Sequence, residues 1–234
     1  MVALTPELLL GAYQAGIFPM ADEGDQPTVH WIDPRRRGVI PLDAFHVPRS
    51  LQKTLRRGAF ELRCDTDFRA VITACAEPTE ERERTWLNRE LIDLYCRVHQ
   101  LGCAHSVEAW QEGRLVGGLY GIHLGAAYFG ESMFSRVRDA SKVALVELVG
   151  RLRAAGFKLL DTQFVTDHLT TFGCIEISRA EYRRCLAEAL RIAATFPTDA
   201  GVYWGLALGT GSSGGGSGSV FSNCGSAHST TQTS

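Results

Sequence analysis

The stretch Ala104–Glu131, AHSVEAWQEGRLVGGLYGIHLGAAYFGE, decides the fold. Its alternating apolar residues and short turns predict three strands. We expect these strands at Ala104–Gln111, Arg114–Leu124 and Ala126–Glu131, with Glu112-Gly113 as the first turn. Strands joined by such short turns pair antiparallel, so the middle of the chain is predicted to be an antiparallel meander.

A helix, a strand and a second helix are predicted after the meander. Asp139–Ala155 carries an apolar stripe at helical spacing, and Phe157–Gln163 has the composition of a strand. Ser178 and Glu181 form a capping box, from which a last helix is expected to run to about Thr195.

The segment before the meander alternates between short strands and helices. It predicts strands at Gly38–Pro41 and Phe60–Cys64, and helices at Pro48–Arg57, from Asp65 or Asp67 to about Ala76, and from Asn88 to about Leu101. This order of elements indicates a mixed α/β (α+β) fold with the layout of an acyltransferase. Because one fold supports many activities, the function must be argued from the site residues.

The chain divides into three predicted parts. Thr5 and Pro6 start a short helix that cannot continue through Pro19, and we assign residues 1–34 to a small N-terminal lobe. Residues 35–196 form the α/β domain. Residues 197–234 include the run GTGSSGGGSGS, which has no core-forming residue, so we expect a flexible Gly/Ser-rich tail.

Composition excludes several classes of protein. The 234 residues are 45% apolar and carry a formal charge of −2, which excludes a uniformly basic nucleic-acid binder. The 7 cysteines include no C-x-x-C pair, so neither a zinc ribbon nor a disulfide-stapled scaffold is expected. The first residues lack a basic signal region, and the uncharged stretch Leu8–Ala21 is too short to span a bilayer. We therefore expect a cytoplasmic protein without a membrane partner.

One predicted helix concentrates positive charge on a single face. Leu51 and Leu55 lie away from this face and are expected in the core. The face is either a solvated surface or a site for the phosphates of RNA. Trp86 follows a charged loop and is either a core residue or a surface on which a base stacks. The basic residues of the face recur at i, i+4, i+7 and i+8, namely Arg49, Lys53, Arg56 and Arg57.

Polar residues interrupt two of the apolar strands. Asp161 and Gln163 are expected on one strand face, and Glu131 ends the third strand of the meander. Such side chains either line a cleft or form a structural hydrogen-bond network. The chain has no nucleophile motif of a hydrolase, and none of its 7 histidines pairs with another at metal-ligand spacing. His105 and His123 are expected to be ordinary core or surface residues.

Several motifs in one order resemble the leucyl/phenylalanyl-tRNA–protein transferase family, over about residues 4–186. They are Ala12–Pro19 (AYQAGIFP), Thr85–Leu87 (TWL), Gly102–Glu108 (GCAHSVE), Leu115–Gly121 (LVGGLYG), Gly130–Arg136 (GESMFSR), Ala140–Lys142 (ASK) and Leu160–Gln163 (LDTQ). The resemblance implies an acetyltransferase-like (GNAT-like) domain preceded by a small N-terminal lobe. It also implies transfer of leucine or phenylalanine, with methionine as a further candidate, from aminoacyl-tRNA to the α-amino group of proteins that begin with arginine or lysine. The product would carry a degradation signal.

The same resemblance implies roles for single residues. The basic helix face would hold tRNA, and Trp86 would help to hold the 3′-terminal adenosine. Met20 stands where the family pattern Phe-Pro-Trp has tryptophan, so we expect weaker stacking on the adenosine there. Leu119 and Leu148 stand in the side-chain pocket, where related sequences carry Met and Phe. Three residues are placed at the reaction centre, namely Glu131, Asp161 and Gln163.

The reaction that the resemblance implies needs few groups. The donor is an activated ester and the acceptor α-amine has a pKa of about 7.7–8.0, so positioning can supply most of the rate. Gln163 would accept a hydrogen bond from the attacking amine, Asp161 would orient the amide of Gln163, and Glu131 would favour a cationic first residue of the acceptor. We expect a monomer with no cofactor and no metal.

Two other functions stay open at this point. A CoA-dependent N-acetyltransferase of the same fold would need a glycine-rich turn for the pyrophosphate, and the turn Ser135–Lys142 has no glycine. A non-catalytic RNA-binding protein would use the basic helix and would not need Glu131, Asp161 and Gln163.

Overall fold

The computed structural model describes residues 4–21, 29–78 and 87–209, which form a seven-stranded sheet, a two-stranded sheet and the helices packed on them. The strands are β1 (Phe18–Ala21), β2 (Val29–Ile32), β3 (Arg36–Ile40), β4 (Glu61–Cys64), β5 (Ala104–Gln111), β6 (Arg114–Leu124), β7 (Ala127–Ser135), β8 (Leu159–Gln163) and β9 (Ile175–Ser178). The helices are α1 (Pro6–Gln14), α2 (Arg49–Arg56), α3 (Phe68–Ala76), α4 (Arg89–Gln100), α5 (Ala140–Ala154), α6 (Asp167–Thr170), α7 (Arg179–Leu190) and α8 (Trp204–Ala207). No helix in these ranges has the length and hydrophobicity needed to cross a membrane.

The large sheet has the strand order β4-β5-β6-β7-β8-β3-β9 and is mixed. The predicted meander is confirmed, because β5, β6 and β7 pair antiparallel in succession. β7 and β8 are parallel, and they pair only between Ala127–Phe129 and Leu159–Asp161. Both strands run further, to Ser135 and Gln163. The mixed α/β class is therefore confirmed, and the end of the β7–β8 pairing leaves room for a cleft in the middle of the sheet.

Local capping signals set several helix starts as predicted. Thr5, Asp67 and Asn88 accept hydrogen bonds from backbone N–H groups at the starts of α1, α3 and α4. Ser178 and Glu181 form the expected capping box at the start of α7. These side chains satisfy N–H groups that a helix leaves without intrahelical partners, which is why they mark helix starts reliably.

Two apolar cores lie on the two faces of the large sheet. One contains Tyr13 of α1 and Tyr182 of α7, together with residues of α3 and α4. The other contains Leu51 of α2 and Val146 of α5. Phe18 of the β1–β2 hairpin belongs to the first core. The described part of the predicted N-terminal lobe therefore shares its core with the rest of the chain.

The prediction of a flexible tail from residue 197 is wrong for residues 197–209, which pack on α5. The carboxylate of Glu147 accepts hydrogen bonds from the backbone N–H groups of residues 203 and 204 at 2.9 and 2.8 Å. The guanidinium of Arg151 donates to three carbonyls of the same segment, those of Pro197, Asp199 and Gly201. The sequence gives no sign of this anchor because it uses backbone groups of the segment. Residues 210–234, with the glycine-rich run, lie outside the described residues.

Candidate active site

A cavity of about 330 Å³ opens beside the point where β7 and β8 stop pairing. Its walls come from β1, β6, β7, β8, α5 and the segment around α6. The structure brings five of the predicted site residues together on these walls, namely Met20, Leu119, Glu131, Leu148 and Gln163. Residues expected from the sequence to contact the adenosine, the transferred side chain and the reacting atoms thus line one cavity.

Asp161 lies beneath the cavity and is fully buried. Its carboxylate accepts three hydrogen bonds from Arg37, at 2.9, 3.2 and 2.6 Å, and one from the hydroxyl of Tyr182 at 2.7 Å. The Arg37 guanidinium is also buried and lies against the rings of Phe18 and Tyr182. Burial disfavours its charged form, but the attraction of Asp161 outweighs this and raises the pKa of Arg37. Asp161 and Arg37 therefore form a buried ion pair.

Gln163 is held in an uncommon backbone conformation at the end of β8. Its φ is +58°, in the left-handed region that few residues other than glycine adopt. The backbone N–H of Gln163 donates to Asp161 Oδ1 at 2.9 Å. The expectation that Asp161 orients the side-chain amide of Gln163 is therefore wrong, because Asp161 binds the backbone amide instead. The side-chain Nε2 of Gln163 donates to Glu131 Oε1 at 3.4 Å.

Glu131 is connected to two buried tyrosines. The hydroxyl of Tyr95 donates to Glu131 Oε2 at 3.0 Å, and the hydroxyls of Tyr95 and Tyr13 are 2.8 Å apart. Burial raises the pKa of Glu131 to about 7; the tyrosine hydrogen bonds oppose this shift and the nearby charge of Asp161 adds to it. The carboxyl group is therefore close to half ionised at neutral pH.

The wall opposite these polar groups is apolar. Leu119 and Leu148 are both almost fully buried, with 3% and 1% of their surface exposed. Neighbouring side chains extend the same wall, namely Met133, Leu145, Leu160 and Leu169. A wall of leucine and methionine favours an apolar ligand group and gives it no hydrogen-bond partner. The mouth of the cavity includes the more exposed Met20 and Phe164.

The basic face on α2 is confirmed as an exposed surface. Leu51 and Leu55 of the same helix are buried, so the charged side chains point away from the core. In the described part of the chain, no carboxylate pairs with the four basic residues of this face, namely Arg49, Lys53, Arg56 and Arg57, which are all exposed. Arg36 and Arg37 precede this helix and pair with Glu176 and Asp161. Trp86 lies outside the described residues.

Sequence reasoning missed four residues that support the polar side of the cavity. Arg37 turns inward, and its partner Asp161 lies 124 positions away. The other three are tyrosines buried on helices, namely Tyr13 on α1, Tyr95 on α4 and Tyr182 on α7. Only the hydroxyl groups of these tyrosines could have indicated a polar role, since a buried tyrosine usually has a hydrogen-bond partner.

His105 and His123 lie on neighbouring strands away from the cavity walls. Their ring nitrogens are 3.0 Å apart, and His105 Nδ1 is 2.7 Å from Asp65 Oδ2. Burial and the neighbouring His105 lower the pKa of His123 to about 4. Within residues 4–21, 29–78 and 87–209 no group of three or more His, Cys, Asp or Glu side chains is arranged to hold a metal ion.

Comparisons with known proteins find matches over most of the chain. The family model of leucyl/phenylalanyl-tRNA protein transferase matches residues 39–187, and that of the family's N-terminal domain matches residues 3–35. A leucyl/phenylalanyl-tRNA–protein transferase of Paramagnetospirillum magneticum is 58% identical over 208 residues, which are 89% of this chain and 100% of that protein. Among solved structures, the C-terminal domain (DUF2156) of a lysylphosphatidylglycerol synthetase of Agrobacterium fabrum is 14% identical. The match covers 80% of this chain and 57% of that one, with a TM-score of 0.38, a likeness too weak to assign a function.

Proposed function

Because the chain belongs to the leucyl/phenylalanyl-tRNA–protein transferase family and is an aminoacyltransferase, we propose that it moves leucine or phenylalanine from aminoacyl-tRNA to the α-amino group of proteins that begin with arginine or lysine. Methionine is a further donor residue. The product carries a new apolar first residue, which serves as a degradation signal. The observation that carries this proposal is a single cavity with Gln163 and Glu131 on one side and a wall of leucines on the other.

The apolar wall supports the choice of donor residue. A leucine or phenylalanine side chain that enters between Leu119 and Leu148 loses its contact with water and gains close packing. Each buried apolar side chain of this size is worth about 1.5–3 kcal/mol. Charged and strongly polar side chains would lose their hydration there without gaining a partner. The polarity of the wall therefore selects for apolar residues.

The polar side supports attack by an amine. The α-amine of the acceptor attacks the ester carbonyl carbon; the new C–N bond forms, the C–O bond to the terminal ribose breaks, and the proton lost by the amine replaces the aminoacyl group on the ribose oxygen. Since Gln163 Nε2 donates to Glu131, its Oε1 is turned away from Glu131 and can accept a hydrogen bond from the attacking amine. Asp161 fixes the backbone of Gln163, so the acceptor oxygen is held in place before the substrates arrive.

Glu131 supports the choice of acceptor. It is the only carboxylate on the walls of the cavity in the described residues, and in its ionised form it attracts a cationic first residue. Arginine and lysine fit this requirement, whereas an acidic first residue would be repelled. The hydrogen bond from Tyr95 keeps the carboxylate in a fixed position.

The tRNA is proposed to bind the basic face of α2. Four exposed and unpaired cations on one helix face can contact phosphates of the acceptor stem without reading its bases. Met20 at the mouth of the cavity and Trp86 are proposed to contact the 3′-terminal adenosine. Binding of this kind is strongly weakened by salt.

The proposal also covers the fold class, the domains, the cellular location and the oligomeric state of the enzyme. We propose that the sheet is acetyltransferase-like, since a parallel pair of strands that separates beside α5 interrupts an otherwise antiparallel sheet. Separate family matches to residues 3–35 and 39–187 support a lobe at 1–34 and a transfer domain at 35–196. We further propose that the enzyme is a cytoplasmic monomer.

A direct transfer assay tests the proposed function. Purified protein is mixed with leucyl-tRNA or phenylalanyl-tRNA that carries a radiolabelled amino acid, and with peptides that differ only in their first residue. We expect label in the peptides that begin with arginine or lysine and little in those that begin with glutamate or alanine. Binding of tRNA without any transfer would contradict the proposal and would favour a non-catalytic RNA-binding protein.

A further inference from the structure

One edge of β7 carries backbone groups that no neighbouring strand pairs with at the level of the cavity. β6 pairs with the other edge of β7 along its whole length, with Leu119 opposite Met133. β8 pairs with this edge only as far as Phe129. Beyond Phe129, backbone groups on this edge therefore face the gap between β7 and β8, where the cavity lies.

The hydrogen bonds between β6 and β7 show which groups face the gap. In an antiparallel pair of strands, opposite residues alternate between hydrogen-bonded and non-hydrogen-bonded positions. The N–H of Arg136 donates to the carbonyl oxygen of Val116, directly opposite, at 2.7 Å. The opposite pairs two and four residues back along β7 bond in the same way, whereas the pairs between them, which include Leu119 and Met133, do not. The N–H of Met133 therefore points away from β6, into the gap.

The pairing of β5 with β6 gives the same result independently. The N–H of His123 donates to the carbonyl of Cys103 at 2.8 Å, and the same alternation turns the backbone of Leu119 toward β5. Leu119 therefore has no backbone group for Met133. Among residues 4–21, 29–78 and 87–209, no hydrogen bond from the N–H of Met133 to any other group is found. Since a buried backbone N–H nearly always has a partner, this donor is available to a ligand.

The cavity connects the two faces of the sheet at this level. Leu119 and Leu148 of the apolar wall belong to the core that contains α2 and α5. Glu131 is hydrogen-bonded to Tyr95, which belongs to the core on the other face. A donor residue whose side chain lies on the apolar wall, and which is attacked by an amine beside Glu131 and Gln163, has its ester carbonyl in the gap between β7 and β8.

Resting on the proposed function, we propose that the backbone N–H of Met133 stabilises the oxyanion of the transfer reaction. When the amine attacks, the π electrons of the ester carbonyl move onto its oxygen, and they return when the bond to the ribose oxygen breaks. The intermediate therefore carries negative charge on the former carbonyl oxygen. A backbone N–H that is fixed in a strand and has no other partner stabilises this charge without reorganisation. The side-chain amide of Gln163 is already engaged, because its Nε2 donates to Glu131.

The exchange of one backbone amide for an ester tests the inference, because it removes a single N–H and keeps the side chain. Position 133 receives the α-hydroxy acid counterpart of methionine. We expect the rate constant of leucyl transfer to an arginine peptide, measured in a single turnover, to fall about 10²–10³-fold, as for the loss of one oxyanion donor. The Kd for leucyl-tRNA should change little, since the charge exists only after attack.

The same exchange at position 135 is the matched control. Ser135 lies two residues further along β7, so its N–H also points away from β6, but Ser135 is not on the walls of the cavity. Each exchange also weakens the carbonyl of the preceding residue, Ser132 or Phe134, which faces β6 in both cases. The two variants should therefore lose similar stability, and the variant at position 135 should transfer leucine at the unmodified rate.

A mimic of the intermediate provides a measurement that does not depend on turnover. A phosphonate that joins the side chain of leucine to the ribose of adenosine carries negative oxygen on a tetrahedral centre. Its Kd should rise about 10²–10³-fold when position 133 is exchanged, in parallel with the transfer rate. The exchange at position 135 should leave this Kd as it is.

Three outcomes would overturn the inference. The first is transfer at the unmodified rate after the exchange at position 133. The second is an equal loss after both exchanges, which would show that the ester acts through the stability of β7. The third is a Kd for the phosphonate that the exchange at position 133 does not change. Absence of leucyl and phenylalanyl transfer by the unmodified enzyme would instead contradict the proposed function.

Discussion

The side-chain amide of Gln163 and the carboxylate of Glu131 are joined by a hydrogen bond of 3.4 Å across the gap between β8 and β7. This bond connects two strands that no longer pair through their backbones at that level. It also links two hydrogen-bonded groups of residues. The backbone N–H of Gln163 donates to Asp161, and the hydroxyl of Tyr95 donates to Glu131. Hydrogen bonds therefore hold the groups of the proposed reaction centre in one arrangement before substrate binds, as positioning catalysis requires.

Gln163→Ala is expected to lower kcat for aminoacyl transfer about 10²–10³-fold. The change removes the oxygen that is proposed to accept a hydrogen bond from the attacking amine, while the proposed contacts to tRNA stay intact. The KM for aminoacyl-tRNA should therefore change little. Steady-state transfer assays measure both constants, and circular dichroism checks the fold. A folded variant with full kcat would show that the hydrogen-bond network is only structural.

The affinity for acceptor peptides is expected to depend on pH through Glu131. Its pKa is raised to about 7, so the carboxyl group is neutral in acid and becomes a charge that attracts arginine or lysine as the pH rises through 7. The KM for an arginine peptide should fall between pH 6 and pH 8. The acceptor amine titrates in the same range, so the comparison is the ratio of wild type to Glu131→Gln at each pH. A constant ratio would contradict this role.

The fold and half of the site follow from local sequence signals, whereas the rest depends on contacts between distant residues. The meander, α5 and the capped helices were predicted because turns, apolar periodicity and caps act within a few residues. The strand β9 was missed because its four residues, Ile175–Ser178, run directly into the capping box of α7. The short α8 was missed because it is held by Glu147 and Arg153 from another element.

The site residues divide in the same way, into those that local sequence signals predict and those that depend on contacts between distant residues. Glu131, Asp161 and Gln163 were found because polar residues interrupt apolar strands. The inward turn of Arg37 could not be predicted, since its neighbours Arg35 and Arg36 have the same charge and nothing nearby in sequence marks one of them for burial. Only the pairing of β3 with β8 brings Arg37 close to Asp161.

Asp161→Asn is expected to lower the free energy of unfolding by about 3–5 kcal/mol, because it leaves the buried Arg37 without a counter-charge. It should also lower kcat, since Asp161 holds the backbone of Gln163 at a positive φ. Urea denaturation measures the first effect. The double variant Arg37→Met with Asp161→Asn removes the unpaired charge and should recover part of the stability without recovering kcat. A loss below 1 kcal/mol in Asp161→Asn would argue against a buried ion pair.

Charge reversal of Arg49, Lys53 and Arg57 to glutamate is expected to raise the KM for aminoacyl-tRNA and to flatten its dependence on salt. Each phosphate contact that is lost reduces the slope of log K against log salt by about 0.7–0.9. The kcat at saturating tRNA should stay close to that of the wild type. Arg36→Ala is the matched control, because this exposed arginine is already paired with Glu176. Equal salt slopes for the triple variant and the wild type would exclude the α2 face as the tRNA site.

Gly150→Ala is expected to destabilise the protein by about 1–3 kcal/mol. Gly150 lies on the face of α5 that receives the segment 197–209, and a Cβ there would overlap the carbonyl group of Tyr203. The segment would have to move away, which would also weaken its hydrogen bonds to Glu147. Gly205→Ala in α8 is the control, because a Cβ at that position meets no atom within 4 Å. Urea denaturation should show a lower midpoint for Gly150→Ala alone; equal midpoints for the two variants would mean that the segment does not contribute to the stability of α5.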